Sequence, residues 1–201
     1  MSYAPAMNGF AEDDAPVYEP PVSKAAFLHW VQRQDRRHEL KSGQAITQAG
    51  TTKRHNWICI NFIKALTSQL DADQWAVEMA DVAVEIGDDI RYLDVLVEQR
   101  SGDGSDLNTD KPVLLMEVLS PSSTGIGMTV KLAEYTQLAT LEAYIVASQD
   151  EPIVWTWQRD AKTGVCPPKP QEFAGRDAVC NVSGLSISLH LGDLYREIAA
   201  R

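Results

Sequence analysis

Two carboxylates stand where a buried strand would ordinarily carry an aliphatic side chain. Glu117 interrupts the apolar run from Val113 to Leu119 in "KPVLLMEVLSPSS", and Asp94 lies between Leu93 and Val95 in "YLDVLVE". A carboxylate taken out of water without a partner is costly, so it is paired, hydrogen-bonded or bound to a cation. Neighbouring strands lie about 4.8 Å apart, and an oxygen ligand sits at about 2.1 Å from a small divalent ion. Two carboxylates on successive strands can therefore share one such ion. Lys131, in "VKLAEY", opens a helix that would pack back across the end of the Glu117 strand. An ammonium there would stabilise negative charge developing on a phosphate, or lower the pKa of a nearby water. Singly, each residue has a plainer reading, as an acidic group at a strand edge or a surface lysine. Their succession along strand, loop, strand, link and helix points to a site.

The elements that must position them follow from periodicity. Residues 1–20, "MSYAPAMNGFAEDDAPVYEP", are rich in proline and acid with no period, and read as a disordered arm. Ser23 is a plausible N-cap for an amphipathic helix carrying Phe27, Trp30 and Val31 and ending near Asp35. "HELKSGQAITQAG" reads as an extended pair turning at Ser42 and Gly43, and a second helix follows, with Trp57, Ile60, Ile63, Ala65 and Leu66 at helical spacing. "WAVEMADVAVEIG" and "IRYLDVLVEQR" read as adjacent strands, and "SGDGSDLNTDKP" as an exposed loop. The Glu117 strand ends at Pro121, "SPSSTGIG" links it to a helix over 129–139, and "EAYIVASQ" and "PIVWTWQR" are two more strands. Beyond Lys162 the chain is Pro-rich, then weakly strand-like around "LSISLHL", closing with a short helix near 193–199. The order predicts a single α/β domain over 21–201, a central mixed sheet flanked by helices.

At 44% hydrophobic and 23% charged, the composition is that of a globular protein with a full core. No run reaches the roughly 20 apolar residues of a membrane helix, and no signal peptide is evident, so the expected location is the cytoplasm with no membrane partner. Three cysteines, Cys59, Cys166 and Cys180, match no zinc spacing and read as free thiols, with Cys59 buried in the second helix. The net charge of −10 argues against a non-specific nucleic-acid binder. It leaves room for a local basic patch from "RQDRRH" (Arg33 to His38) and "KRH" (Lys53 to His55), which otherwise reads as a solvated face.

The segments "LDVLVE", "VLLMEVLSPSS", "VKLAEYTQL" and "EAYIVAS" resemble the Uma-two family of endonucleases, a branch of the PD-(D/E)XK restriction-endonuclease-like superfamily. The similarity runs from about Phe27 to Trp157, and upstream "HELKSGQ" and "RHNWICINFIKAL" resemble the family's first hairpin and following helix, with its early His. The resemblance implies that Asp94 is the Asp of the Pro-Asp motif, with Leu93 in place of the proline. Glu117 becomes the acidic residue of the E-x-K element, and Glu39 an additional acidic residue from the hairpin. Leu119 stands where that element's lysine is expected, and Lys131 matches the migrated lysine of this family. His38 and Gln44 replace a usual Tyr and a usual acidic residue.

The expected function is a Mg²⁺- or Mn²⁺-dependent endonuclease hydrolysing DNA, with Asp94 and Glu117 as metal ligands and catalytic residues. Lys131 would orient the attacking water, and Glu39 would hold a metal ligand or a water beside it. Two other classes stay open: a nuclease-fold interaction or scaffold protein without activity, and a hydrolase of another phosphoester. Restriction-type enzymes that cut both strands commonly act as two-fold pairs, so a homodimer is expected. Trp155 and Trp157, at strand spacing in "PIVWTWQR", offer an interface unless that face packs under the C-terminal segment.

Overall fold

The computed structural model describes residues 23–48, 50–119 and 131–198. The arm expected over 1–20, the "SPSS" link and the first two residues of the 129–139 helix lie outside the described residues. Helix α1 spans Lys24–Val31, capped by the Ser23 hydroxyl, which accepts the Ala26 N–H at 3.3 Å. It ends four residues before Asp35, and Phe27 is the side chain it buries fully. Strands β1 (His38–Lys41) and β2 (Gln44–Thr47) form the expected hairpin, with Ser42 and Gly43 both at positive φ in its turn.

Helix α2 (Lys53–Thr67) starts at Thr52, whose hydroxyl accepts the His55 N–H at 3.1 Å and donates to Gln149 Oε1 at 2.8 Å. Its buried face is His55, Ile58, Cys59, Phe62 and Leu66. The apolar face expected through Trp57 and Ile60 is instead turned outward, those side chains being 50% and 43% exposed. Ile58, Cys59 and Phe62 fill the space over the sheet and so set the rotation of the helix. Thr52→Ala removes the cap and the tie to Gln149 together. We expect a loss of about 1 kcal/mol, read as a lower urea midpoint with unchanged slope.

Strands β3 (Trp75–Met79), β4 (Ala83–Ile86), β5 (Asp89–Arg91), β6 (Val95–Gln99), β7 (Asn108–Thr109) and β8 (Pro112–Leu119) follow. The two long strands read from the sequence are thus four. Each breaks where the chain leaves one sheet for another: β4 and β5 join the first hairpin in a five-stranded sheet of order β2-β1-β5-β4-β7, while β3 and β6 belong to a six-stranded one. Asp94 lies at the second break, immediately before β6 rather than within a strand.

After α3 (residues 131–135) come β9 (Ala143–Ser148), β10 (Ile153–Gln158), β11 (Gln171–Ala174), β12 (Val179–Val182), β13 (Ile187–His190) and α4 (Leu191–Leu194). The closing helix therefore starts two residues earlier than expected. The six-stranded sheet has the order β11-β10-β9-β8-β6-β3; β8 and β9 run parallel and its other pairs antiparallel, a mixed sheet as expected. One face carries Val95, Val97, Leu114, Met116, Ala143 and Ile145, covered by α2, α4 and the β12–β13 pair. The opposite face carries Leu96, Leu115, Tyr144, Val146 and Trp157, covered by Leu132, Tyr135 and Leu138 and by Val84 and Ile86 of the smaller sheet.

Trp157 is 4% exposed and stacks on Tyr144, ring centroids 5.4 Å apart. Half-buried Trp155 donates its indole N–H to Glu172 on β11 at 2.8 Å. The Trp155–Trp157 face offered as an interface is therefore interior, and it packs under the helix after residue 130 rather than under the C-terminal segment. Among the described residues no helix is long and apolar enough to cross a membrane.

Candidate active site

Alternation along β8 turns Leu114, Met116 and Val118 to the α2 face, and therefore Glu117 to the face covered by α3. Its side chain is 12% exposed. Lys131 Nζ donates to Glu117 Oε2 at 2.5 Å, and the Tyr135 hydroxyl donates to Oε1 at 2.7 Å. Residues four apart on a helix project from the same face, which is how α3 delivers both donors to one carboxylate. Tyr135 is fully buried and meets Tyr144 edge to face at 5.0 Å.

Asp94 reaches the same place from the residue before β6, the antiparallel neighbour of β8. Its Oδ2 accepts the backbone N–H of Val118 at 2.8 Å and lies 3.1 Å from His55 Nε2. The strand that carries Glu117 therefore holds Asp94 beside it, while α2 braces Asp94 from the other face. His55 in turn places Nδ1 at 3.5 Å from Cys59 Sγ, one turn further along α2.

The electrostatics follow from this crowding. Burial pushes the Glu117 carboxyl above its ordinary value; Lys131 and the Tyr135 hydroxyl pull against that shift, and the Asp94 charge adds to it. Burial would pull the Lys131 ammonium down, but the Glu117 charge overrides it and holds the lysine above its usual value. Burial first, then the Glu117 charge, lifts the Tyr135 and Tyr144 phenols well above the ordinary tyrosine value, so both stay donors at any working pH.

A raised carboxyl pKa favours the protonated form in the folded state, a contribution lost as pH rises through the folded pKa. In chelator, the stability of wild type relative to Glu117→Gln should accordingly climb as pH falls from neutral and level off below about 4.5, the group's usual value. Urea titrations of both proteins across that range check the sign.

Glu39 stands one layer behind. Its Oε2 pairs with Arg91 Nη1 at 2.9 Å, and the Tyr92 N–H points at Oε1 at 3.4 Å. Arg91, 3% exposed, bridges through Nη2 to Glu134 Oε2 at 2.6 Å, and Lys41 lies 3.9 Å from the other Glu134 oxygen. The negative charge of Glu39 also helps to keep Lys131 protonated. The structure thus brings Asp94, Glu117 and Lys131 together and ties Glu39 to Arg91, where it bears on the site through the lysine.

Sequence reasoning passed over Arg91, Glu134, Tyr135 and the contact of His55 with Asp94. The signal for two of them was on the page: Glu134 and Tyr135 lie three and four residues after Lys131 in "VKLAEY", on one helical face. Arg91 carried none, because its partners are 52 and 43 residues away.

Two adjacent carboxylates, one of them raised by burial and by its neighbour's charge, are the oxygen donors a hard divalent cation takes. Beside Asp94 opens a cavity of about 710 Å³, lined also by Arg36, Arg37, Gln48, His55 and Asn56 among others, with Glu117 and Lys131 outside its lining.

The family model described as "Putative restriction endonuclease", Uma2, matches residues 25–189. Two proteins of Synechocystis sp., "Uncharacterized protein slr1290" and "Uncharacterized protein sll1609", are each 26% identical over 133 residues, which is 64% of this chain and 70% and 75% of theirs. A crystal structure of "a putative nuclease belonging to DUF820" from Anabaena variabilis superposes with a TM-score of 0.71 at 16% identity, over 87% of this chain and 98% of that one, and shares the mixed α/β fold. The match across most of its length makes this chain a member of the Uma2 family.

Proposed function

We propose that the protein is a divalent-cation-dependent endonuclease that hydrolyses phosphodiester bonds of DNA, with Asp94 and Glu117 as the ligands of Mg²⁺ or Mn²⁺. The observation that carries this reading is the buried Glu117 carboxylate, held by Lys131 and Tyr135, with Asp94 held by the amide of the next residue on the same strand, Val118. A bound cation supplies Lewis acidity toward a phosphate oxygen and toward water. The chain's own groups do the rest. His55 and the Val118 amide fix Asp94, while Tyr135 fixes one oxygen of Glu117. Lys131, 34% exposed at its side chain, reaches solvent and offers its charge to the phosphate being attacked. Arg36 and Arg37 line the cavity beside Asp94, Arg37 in an ion pair with Asp81 at 2.9 Å, and Arg36 offers the local positive charge that an acidic chain needs if it is to hold a nucleic-acid backbone. Cutting both strands of a duplex would call for a second copy related by a two-fold axis.

A non-catalytic interaction module is the second reading, favoured by the Lys131–Glu117 pair itself, which offsets the buried charge without any cation. Supercoiled plasmid separates the two. Incubation with the purified protein and Mg²⁺ or Mn²⁺ should nick or linearise it, and chelator should stop the reaction. No cleavage with either ion, or equal cleavage in chelator, overturns the nuclease reading.

A further inference from the structure

Behind Asp94 lie two donors, His55 and Cys59, to which the proposed phosphodiester hydrolysis gives no part in holding a metal. His55 and Cys59 are four residues apart on α2 and both 5% exposed, and their ligand atoms and those of Asp94 all lie within 4.8 Å of one another. We propose that His55, Cys59 and Asp94 form a second, thiophilic metal site, selective for Zn²⁺, which shares Asp94 with the proposed magnesium site and so competes with it. The claim rests on the nuclease reading only for that competition.

The geometry supports the set from three sides. A tetrahedral zinc ion with bonds of about 2.0–2.3 Å keeps its ligand atoms roughly 3.5 Å apart. Here the one ligand atom that each residue offers lies within 4.8 Å of the others. Asp94 Oδ2 is 3.1 Å from His55 Nε2, while Cys59 Sγ approaches the other ring nitrogen, Nδ1, at 3.5 Å, so a turn of the thiol or the ring brings all three onto one ion. The imidazole would give one of its two nitrogens to the ion, and the i, i+4 spacing on a helix keeps the histidine and cysteine on one face whichever nitrogen is used. All three residues line the cavity of about 710 Å³, so an ion has a way in and water can complete the tetrahedron. The donor chemistry also sorts the ions. Thiolate and imidazole suit zinc, whereas Mg²⁺ takes oxygen ligands, as Glu117 and Asp94 provide. On binding, the Cys59 S–H bond breaks, its proton goes to solvent and an S–Zn bond forms, with no change of oxidation state.

Asp94 cannot serve both ions with full effect. A bound zinc draws Asp94 toward α2, leaving Glu117 as the one carboxylate for Mg²⁺. Zinc at this place is therefore an inhibitor whose target is the ligand set rather than the substrate.

Cobalt(II), the spectroscopic stand-in for zinc, provides the test on the purified full chain. The expected result is a near-ultraviolet sulfur-to-cobalt band that saturates at one equivalent and is erased by Zn²⁺ but not by Mg²⁺. Cys59→Ser should lose the band, while Cys166→Ser and Cys180→Ser keep it. Circular dichroism checks that each variant is folded, and Cys59→Ala repeats the measurement should the serine variant unfold. No band in wild type, or a band that persists in both folded Cys59 variants, overturns the site. The shared ligand is read separately, from thermal melts. Zinc-saturated wild type should lose most of its Mg²⁺-dependent stabilisation, and an undiminished magnesium shift overturns the competition. Were metal-free protein to show no magnesium shift at all, the nuclease reading and the competition built on it would fall, and the cobalt band alone would still decide the zinc site.

Discussion

Glu117→Ala should lower metal-dependent plasmid cleavage at least about 100-fold while leaving the protein folded. Loss of a group that merely orients a metal ligand commonly costs about 10–100-fold, so loss of a ligand itself should reach at least the upper end of that range. The fold should survive because the deletion also removes a buried carboxylate that its surroundings push toward neutrality. The partner left behind, Lys131, has a side chain 34% exposed and can turn to water. Gel quantification of nicked and linear plasmid, with circular dichroism of the same preparation, gives both halves of the result. Cleavage equal to wild type would place the chemistry elsewhere or in a contaminant.

Arg91→Ala should produce the largest loss of stability, about 3–5 kcal/mol, the usual consequence of removing one partner from a buried ion pair. Arg91 is 3% exposed and joins Glu39 on β1 to Glu134 on α3, so its deletion leaves the buried Glu39 carboxylate without its cation and Glu134, 18% exposed at its side chain, with Lys41 at 3.9 Å. Glu39 is held in β1 between its strand neighbours, and Glu134 sits on the same helical turn as Lys131 and Tyr135. Arg91→Lys should recover only part of the loss, since a single ammonium cannot span both carboxylates as the guanidinium fork does. Urea denaturation of the three proteins measures it, and a loss below about 1 kcal/mol for the alanine variant would mean that the bridge is incidental.

What the sequence disclosed about this arrangement depended on whether a signal was local. The interruptions at Asp94 and Glu117 were visible because the residues around each are apolar, and Lys131 because it opens a helix just beyond. The α/β order was readable from the lengths of the apolar runs. The division into two large sheets was not, since it turns on a crossover at 92–94 where the apolar run continues through Leu93, itself fully buried. Strand β11 was missed for a different reason. Its residues Gln171, Glu172 and Ala174 are exposed, so the edge carries little hydrophobic period to detect. The outward turn of Trp57 and Ile60 shows the limit of periodicity on α2: both helical faces carry apolar side chains, and packing against β6 and β8 decided between them.

In the proposed site Asp94 and Glu117 bind a divalent cation that offsets the burial of Glu117. Thermal melts of wild type and Glu117→Gln, each with and without Mg²⁺, test it directly. The variant keeps the side-chain shape and removes one charge. At about 100 times its Kd, the ion should stabilise wild type by roughly 2.7 kcal/mol, a rise of about 5–10 °C in Tm for a chain of this size. Wild type should show that rise and Glu117→Gln a much smaller one, with the metal-free variant at least as stable as metal-free wild type. A metal-free Glu117→Gln protein clearly less stable than wild type, with no magnesium-dependent rise in either, would contradict it and make Glu117 and Lys131 a structural ion pair.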